Sequence, residues 1–270
     1  MPTPFITIRI DDMSKIVDSI YNIRLLDDLA RKNTSIHRLH PVSKLLTTIV
    51  YLIMLVSFNR YEISGLLPFV FYPMVLILLA ELPVMPIFKR LLMVEPMIIG
   101  IGILNPLFDP RGWITFASIM TKSGLTVTVC LVLVSTTGLD KIAQALRALK
   151  VPSIFVLQLL LTFGYISVLI EELARMVRAY ALRAPQQKGV RLKDCGSFAG
   201  QLLLRTLDRA QRVYDSMRLR GFNGEYHSYG KSNITWRDIL YLIAWSLFFI
   251  TARMYDIPAL LGLMFEGVSN

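Results

Sequence analysis

One stretch of the chain decides the fold, residues 208–222, which read DRAQRVYDSMRLRGF and lie between two strongly apolar parts of the sequence. Through this stretch and before it, weakly apolar side chains recur every three or four residues, a spacing that places them on one face of an α-helix. They are Phe198, Leu202, Thr206, Ala210, Val213 and Met217. The opposite face carries Arg205, Asp208, Arg209, Arg212 and Asp215. The pattern predicts a basic amphipathic helix that ends near Leu-Arg-Gly.

A second segment repeats this arrangement. Residues 174–185, which read ARMVRAYALRAP, again end a basic stretch with an arginine followed by a small residue. We name Leu182-Arg183-Ala184 the first tip and Leu219-Arg220-Gly221 the second tip. The sequence therefore predicts two helical arms with similar arginine-bearing ends.

The composition indicates a membrane protein. Hydrophobic residues make up 54% of the 270 residues and the mean hydropathy is +0.54, so a bilayer is needed to cover the apolar surface. The net charge of +10 lies outside the apolar runs, where Lys and Arg indicate the cytoplasmic side rather than a nucleic-acid partner. The two cysteines predict neither a disulfide framework nor a zinc site, and we expect no cleavable signal peptide because the N-terminal region has mixed charge.

Six apolar runs approach the length that crosses a bilayer as a helix. They lie near residues 45–58, 64–82, 91–107, 114–136, 153–170 and 235–253. Both flanks of 153–170 are basic, and the flank 171–234 carries twelve Lys and Arg against six Asp and Glu. A crossing at 153–170 would put one basic flank outside, against the positive-inside rule. We therefore predict five crossings, with 153–170 in a long helix that does not span, an inner loop at Lys89 and Arg90, a cytoplasmic N-terminus and an external C-terminus.

Several motifs, in this order along one chain, resemble the transmembrane T component of energy-coupling factor (ECF) transporters, which are ATP-driven importers. Besides the two tips, these are residues 37–46 (HRLHPVSKLL), 105–109 (NPLFD) and 139–152 (LDKIAQALRALKVP). Residues 25–30 (LLDDLA), 105–109 and the second tip look most like the cobalt/nickel-type (CbiQ) members. The first tip departs from the commoner Ala-Arg-Gly form, because Ala184 and Pro185 follow Arg183.

The resemblance implies an all-α integral membrane protein with long amphipathic cytoplasmic coupling helices. On this basis the chain divides into four parts. They are a cytoplasmic N-terminal region at 1–44, a four-helix transmembrane part at 45–137, a coupling-helix module at 138–234, and a last transmembrane helix with a tail at 235–270. We keep the name coupling module for residues 138–234.

The resemblance also implies the partners. Two cytoplasmic ATP-binding subunits would dock on the tips, through Leu182, Arg183, Ala184, Leu219, Arg220 and Gly221. A separate S component in the membrane would bind the substrate, for which cobalt or nickel is expected and a vitamin is the alternative. The chain itself would be a non-catalytic, multi-pass subunit of the prokaryotic plasma (inner) membrane. We expect it to hold no cofactor, metal or catalytic residue and to bind no nucleic acid.

Two other classes remain as alternatives from the residues alone. A membrane-embedded lipid-modifying enzyme would need clustered Asp or His at the cytoplasmic face, and the sequence offers few; a secondary carrier would show internal repeats, and we find no convincing one. No Gly-x-x-x-x-Gly-Lys-Ser/Thr phosphate loop occurs, so energy must come from a partner.

The remaining ionisable residues do not predict a binding site. His37 and His40 share a helical face but lack a third metal ligand, and we interpret Glu95 and Lys122 as groups at the membrane interface.

Overall fold

The computed structural model describes residues 7–9, 29–30, 32, 34–59, 61, 63–103, 106, 112–183, 189–224 and 234–254. In chain order the elements are β1 (Thr7–Arg9), α1 (Pro41–Val56), a 3-10 turn (Ser64–Leu66), α2 (Leu67–Leu79), α3 (Val84–Gly102), α4 (Gly112–Thr137), α5 (Leu139–Ala148), α6 (Ser153–Arg183), β2 (Gly189–Arg191), α7 (Leu192–Leu219) and α8 (Trp236–Met254). The chain forms two compact units. We call residues 26–145 with 230–270 the bundle unit, and residues 1–25 with 146–229 the hairpin unit.

Aromatic side chains from three helices form the core of the bundle unit. Tyr51 of α1, Phe69 and Tyr72 of α2 and Phe249 of α8 are each no more than 1% exposed. Their ring centroids lie close enough for tilted and edge-on packing, 5.3 Å apart for Tyr51 and Phe249 and 5.1 Å for Tyr72 and Phe249. The Tyr51 hydroxyl donates a hydrogen bond to the Phe69 carbonyl oxygen at 3.1 Å, so the buried polar group is satisfied.

Contacts at both ends show how α1 and α8 are arranged. At their starts, the His40 backbone N–H donates to Asp238 Oδ1 at 2.7 Å, and at their ends Arg253 Nη2 donates to the Ser57 carbonyl oxygen at 3.2 Å. The two helices therefore run side by side in the same direction. α4 runs the opposite way, because its last turn lies beside the first turn of α1. The end of α4 and the start of α8 consequently lie at the same end of the bundle unit.

The hairpin unit is built on two long antiparallel helices. Tyr180 of α6 packs on Phe198 of α7 with ring centroids 5.4 Å apart, and nearer the start of α6 the Arg209 guanidinium lies 5.7 Å from the Tyr165 ring centroid. Within the same unit β1 pairs antiparallel with β2, the register placing Ile8 opposite Val190. The sequence did not predict these two short strands.

The structure confirms the predicted fold class, an all-α membrane protein. Within the described residues α4 and α6 are long and apolar enough to cross a bilayer, and α1 and the segment 64–79 are shorter apolar helices. Large apolar side chains point outward, including Met93 at 84% exposure and Met97 at 72%, as expected of helices that a bilayer covers. α6 is continuous from Ser153 to Arg183, as predicted for a long helix through 153–170. The prediction of a loop at Lys89 and Arg90 is wrong, because both residues lie inside α3. This helix begins at Val84, before the strongly apolar part of the segment.

Candidate functional site

The second tip ends α7 with a closed backbone cap. Gly221 has φ of +81°, its N–H donates to the Arg218 carbonyl oxygen at 2.9 Å, and the Phe222 N–H donates to the Met217 carbonyl oxygen at 3.0 Å. These two bonds are the Schellman pattern, which satisfies the last carbonyl groups of a helix and favours glycine at the left-handed position. Apart from its chain neighbours and its own helix, no described residue has an atom within 4 Å of the place that a Cβ on Gly221 would take, so the positive φ and not a lack of space explains the glycine.

Both tips present a leucine and an arginine to solvent. Leu182 is 84% exposed and Leu219 is 90% exposed, and both Arg183 and Arg220 are exposed as well. Ala184 lies outside the described residues. An extended apolar side chain next to a permanently charged, planar guanidinium is a chemical pair suited to a protein partner with an apolar recess and a carboxylate.

The two tips lie at opposite ends of the hairpin unit. Arg183 ends α6, whereas Arg220 follows the end of α7, which lies back along α6 near its start at Ser153. α6 has 31 residues and is therefore about 46 Å long at the standard helical rise. The fold thus places the tips too far apart for one small recess to hold both.

Polar contacts hold α6 and α7 together near the first tip. The Tyr180 hydroxyl donates to Asp194 Oδ2 at 2.7 Å. Glu172 forms ion pairs with Arg175 of its own helix and with Arg205 of α7. Hydrogen bonds from Arg175 and then Arg205 lower the pKa of the Glu172 carboxyl from its ordinary value, so it stays ionised at neutral pH.

Beyond these contacts the two helices enclose an apolar groove of about 450 Å³, which we call the hairpin groove. Its walls are mainly hydrophobic and extend to the second tip. The lining residues are Ile154, Leu157, Leu161, Thr162, Tyr165, Leu169, Thr206, Arg209, Ala210, Val213, Tyr214, Met217 and Phe222. The predicted apolar stripe of α7 faces this groove from Thr206 to Met217. Arg209, predicted on the charged face, is an exception, because its guanidinium turns to the groove and stacks on Tyr165.

The histidines of the predicted N-terminal motif have local structural roles. His37 Nε2 donates to the Leu29 carbonyl oxygen at 3.1 Å, so Nδ1 of the neutral ring accepts from the Thr34 hydroxyl at 2.7 Å. Burial, followed by the charge of Lys44, lowers the pKa of His37 and favours this neutral form. His40 Nδ1 accepts from the Val42 N–H at 3.3 Å as the N-cap of α1. In the described part of the chain no three His, Cys, Asp or Glu side chains converge as metal ligands.

The ionisable groups inside the bundle unit contact neighbouring helices. Lys122 lies well inside α4, and its Nζ donates to the carbonyl oxygens of Phe58 and Asn59 at 2.7 and 3.2 Å. Glu95 lies in the middle of α3 with Oε2 buried and without a hydrogen-bond partner among the described residues. Its Oε1 is 3.5 Å from where a Cβ on Gly124 would lie, an ordinary van der Waals distance, so the Glu95 carboxyl group packs against α4 at Gly124.

Sequence reasoning missed two residues that join helix ends. Lys44 and Asp238 are 3% and 5% exposed, and each bonds a segment distant in sequence. For Asp238 a local signal existed, because it follows Thr235 by three residues at the start of α8, the spacing of a capping box. For Lys44 no local pattern exists, since its partner Thr136 is 92 residues away.

Similarity to known proteins extends over most of the chain. A family model described as CbiQ, cobalt transport protein, matches residues 32–229, a range that contains α1 and both tips. An uncharacterized protein of Methanocaldococcus jannaschii is 22% identical over 222 residues, which span 74% of this chain and 75% of that protein.

Proposed function

The chain belongs to the CbiQ family of cobalt transport proteins, the T-component type of ECF transporter subunits, and from this premise we propose that it couples two cytoplasmic ATPases to a separate substrate-binding subunit in the membrane. The observation that carries the proposal is the pair of exposed Leu-Arg tips at opposite ends of one helical hairpin. The chain transmits movement and hydrolyses nothing itself.

Each tip supplies the chemistry of a docking contact. A guanidinium offers five N–H donors in a rigid fork and stays charged at physiological pH, so it binds a carboxylate with two parallel hydrogen bonds. The neighbouring leucine adds apolar area that is almost wholly exposed in this chain, at 84% and 90% for Leu182 and Leu219. Because the tips are separated by the length of α6, each meets its own ATPase subunit.

The hairpin unit also has a structure that permits relative movement of its helices. The polar contacts of Glu172 and Tyr180 tie α6 to α7 near the first tip. The hairpin groove leaves the helices without close packing toward the second tip, where Val213 and Met217 face an open volume. When ATP draws the two ATPases together, the tips move with them, and the helices close or open across the groove. The movement passes to the bundle unit and tilts the S component.

The arrangement of helix ends supports the predicted orientation. α1 and α8 run in the same direction and the end of α4 meets the start of α1, so the coupling module leaves and re-enters the bundle unit on one side. Its basic composition places that side in the cytoplasm. The N-terminus is then cytoplasmic, α8 exits to the outside, and α6 does not cross. The chain is a multi-pass protein of a prokaryotic plasma (inner) membrane.

Cysteine accessibility tests this orientation. A cysteine at Asn59 should react with a membrane-impermeant maleimide in intact cells, whereas a cysteine at Lys150 should react only after permeabilisation. Reaction of both from outside would overturn the orientation.

The cargo follows from the family and not from a site in this chain. We propose that the cargo is Co2+, with Ni2+ as the related ion, because the family is named for cobalt transport. A vitamin-type S component is the alternative, and uptake of radiolabelled Co2+ by cells that contain or lack this chain distinguishes the two. A Co2+ uptake rate that does not depend on the chain would exclude the metal assignment.

Co-purification tests the proposed function itself. The tagged chain, expressed with its genomic neighbours and extracted in mild detergent, should bring down two ATP-binding polypeptides and one small membrane protein. ATPase activity should appear in that complex and not in the chain alone. Isolation of the chain without any ATP-binding polypeptide, under conditions where it stays folded, would contradict the proposal.

A further inference from the structure

The last turn of α4 is held by a buried lysine from the start of α1. Lys44 is 3% exposed, and its Nζ donates to the Thr136 carbonyl oxygen at 2.9 Å. Carbonyl groups in the last turn of a helix have no partner within that helix, so the Thr136 carbonyl group needs a donor from another segment, and Lys44 supplies it. Lys44 therefore fastens the end of α4 to α1 one residue before the helix stops at Thr137.

The first turn of α8 is held by the same part of α1. Asp238 is 5% exposed, and its carboxylate accepts two backbone hydrogen bonds, from the Thr235 N–H to Oδ2 at 2.8 Å and from the His40 N–H to Oδ1 at 2.7 Å. One oxygen thus caps α8, and the other binds the N-cap residue of α1. A negative charge suits both helix N-termini.

These two contacts lie at the two boundaries of the coupling module. The module begins immediately after Thr137 and ends immediately before Thr235, and both boundary segments are bonded to the five residues from His40 to Lys44. Movement of the module can reach α4 and α8 along the chain through these two connections, or pass to them through packing between helices. The contact pair therefore lies where the chain between α4 and α8 joins these two helices.

We propose that Lys44 and Asp238 are positioning residues that transmit the movement of the coupling module to α1, a role that rests on the proposed function and refines it. Burying a lysine and an aspartate is costly, and apolar side chains of similar size can fill such space at least as favourably. Hydrogen bonds to backbone groups are instead directional and resist sliding of one helix end along another. The pair makes the ends of α4 and α8 move together with the start of α1.

The experiment uses the complete complex in proteoliposomes and measures two rates, ATP hydrolysis inside and uptake of radiolabelled Co2+. The test variant is Lys44→Met, which keeps the aliphatic chain and removes the ammonium donor. The matched control is Lys122→Met, because Lys122 also donates to a backbone carbonyl group beside the end of a helix, at 2.7 Å from Phe58, but at the opposite end of α1 from Lys44. Thermal unfolding and subunit composition of each complex are recorded beside the rates.

In the expected result, Lys44→Met keeps its subunits and its ATPase rate, while Co2+ imported per ATP falls roughly tenfold, within the usual range of coupling between sites. Lys122→Met keeps the wild-type ratio. An unchanged ratio in Lys44→Met, or equal losses in both variants, overturns the inference. If the complex with Lys44→Met does not assemble, the Co2+ imported per ATP hydrolysed is measured for Asp238→Asn instead, and an unchanged ratio in that variant overturns the inference. Failure of the wild-type chain to assemble with ATPases would count against the proposed function instead.

Discussion

The Phe222 N–H donates to the Met217 carbonyl oxygen at 3.0 Å, and this bond forms only because Gly221 between them takes a φ of +81°. The Phe222 and Met217 side chains both line the hairpin groove, so the cap also completes its wall. The positive φ of Gly221 and the wall of the groove are thus joined at the second tip.

Gly221→Ala and Gly221→Val should each destabilise the end of α7 by about 1 kcal/mol, and by similar amounts, because both add a Cβ at positive φ where space is open. Thermal unfolding of the purified chain in detergent measures this. Gly221→Asn should lower the stability less than the other two substitutions, since asparagine tolerates the left-handed backbone region. Wild-type stability of the alanine variant would show that the cap is not needed.

Charge reversal at the tips tests docking. Arg183→Glu or Arg220→Glu should weaken ATPase binding by about 2–5 kcal/mol, as expected when a buried charge pair becomes a repulsion, while membrane insertion persists. Co-purification and ATP-driven uptake are the measurements. Arg218→Glu is the control, because its guanidinium stacks over Tyr214 at 5.9 Å on the same helix end. Normal uptake by the double variant at positions 183 and 220 would remove the docking role.

Breaking the Glu172 ion pairs should loosen α6 from α7 only slightly. Glu172→Gln is expected to cost less than about 1 kcal/mol, because both arginines are partly exposed to water. Since the folded-state pKa of Glu172 is lowered, this stabilisation is present above the pKa of the unfolded carboxyl and is lost as pH falls through the folded value. A double-mutant cycle with Arg205→Met, followed by thermal unfolding at pH 7 and pH 3, measures it. A coupling energy that does not decrease at low pH would contradict the assignment.

Filling the hairpin groove should stop movement without stopping assembly. Ala210→Phe places a ring between α6 and α7 where the groove is open, so the helices cannot close. We expect the complex to purify with normal composition and to import Co2+ several-fold more slowly. Ala179→Phe, on an exposed position of α6 that does not line the groove, is the control. Equal uptake by Ala210→Phe and the wild type would show that the groove does not close during transport.

Local patterns predicted much of the fold. The apolar runs at 114–136 and 235–253 correspond to Gly112–Thr137 and Trp236–Met254 within two residues at each end, because a helix that is apolar over its length leaves a continuous hydropathy signal. The run at 91–107 does not show where its helix begins, at Val84, since Lys89 and Arg90 lower the local hydropathy without interrupting the helix. Helix formation depends on the backbone, and polar side chains of this kind support it.

The sequence predicted the glycine cap at Gly221 and the apolar stripe of α7, which depend on neighbouring residues. That the two tips dock ATPase subunits stays a prediction. The sequence did not predict that the long Arg209 side chain reaches from the charged face to the Tyr165 ring, because helical spacing fixes only where a side chain begins.

The sequence by itself determined that this chain is a helical membrane protein with two arginine-bearing helix ends, because composition, periodicity and capping act between residues close together in the chain. Only the tertiary structure decided that Arg183 and Arg220 lie at opposite ends of one hairpin, and that Lys44 bonds Thr136 across 92 residues. These relations depend on how helices pack against one another. The residues around a buried lysine in the sequence do not show which distant carbonyl group it will bind.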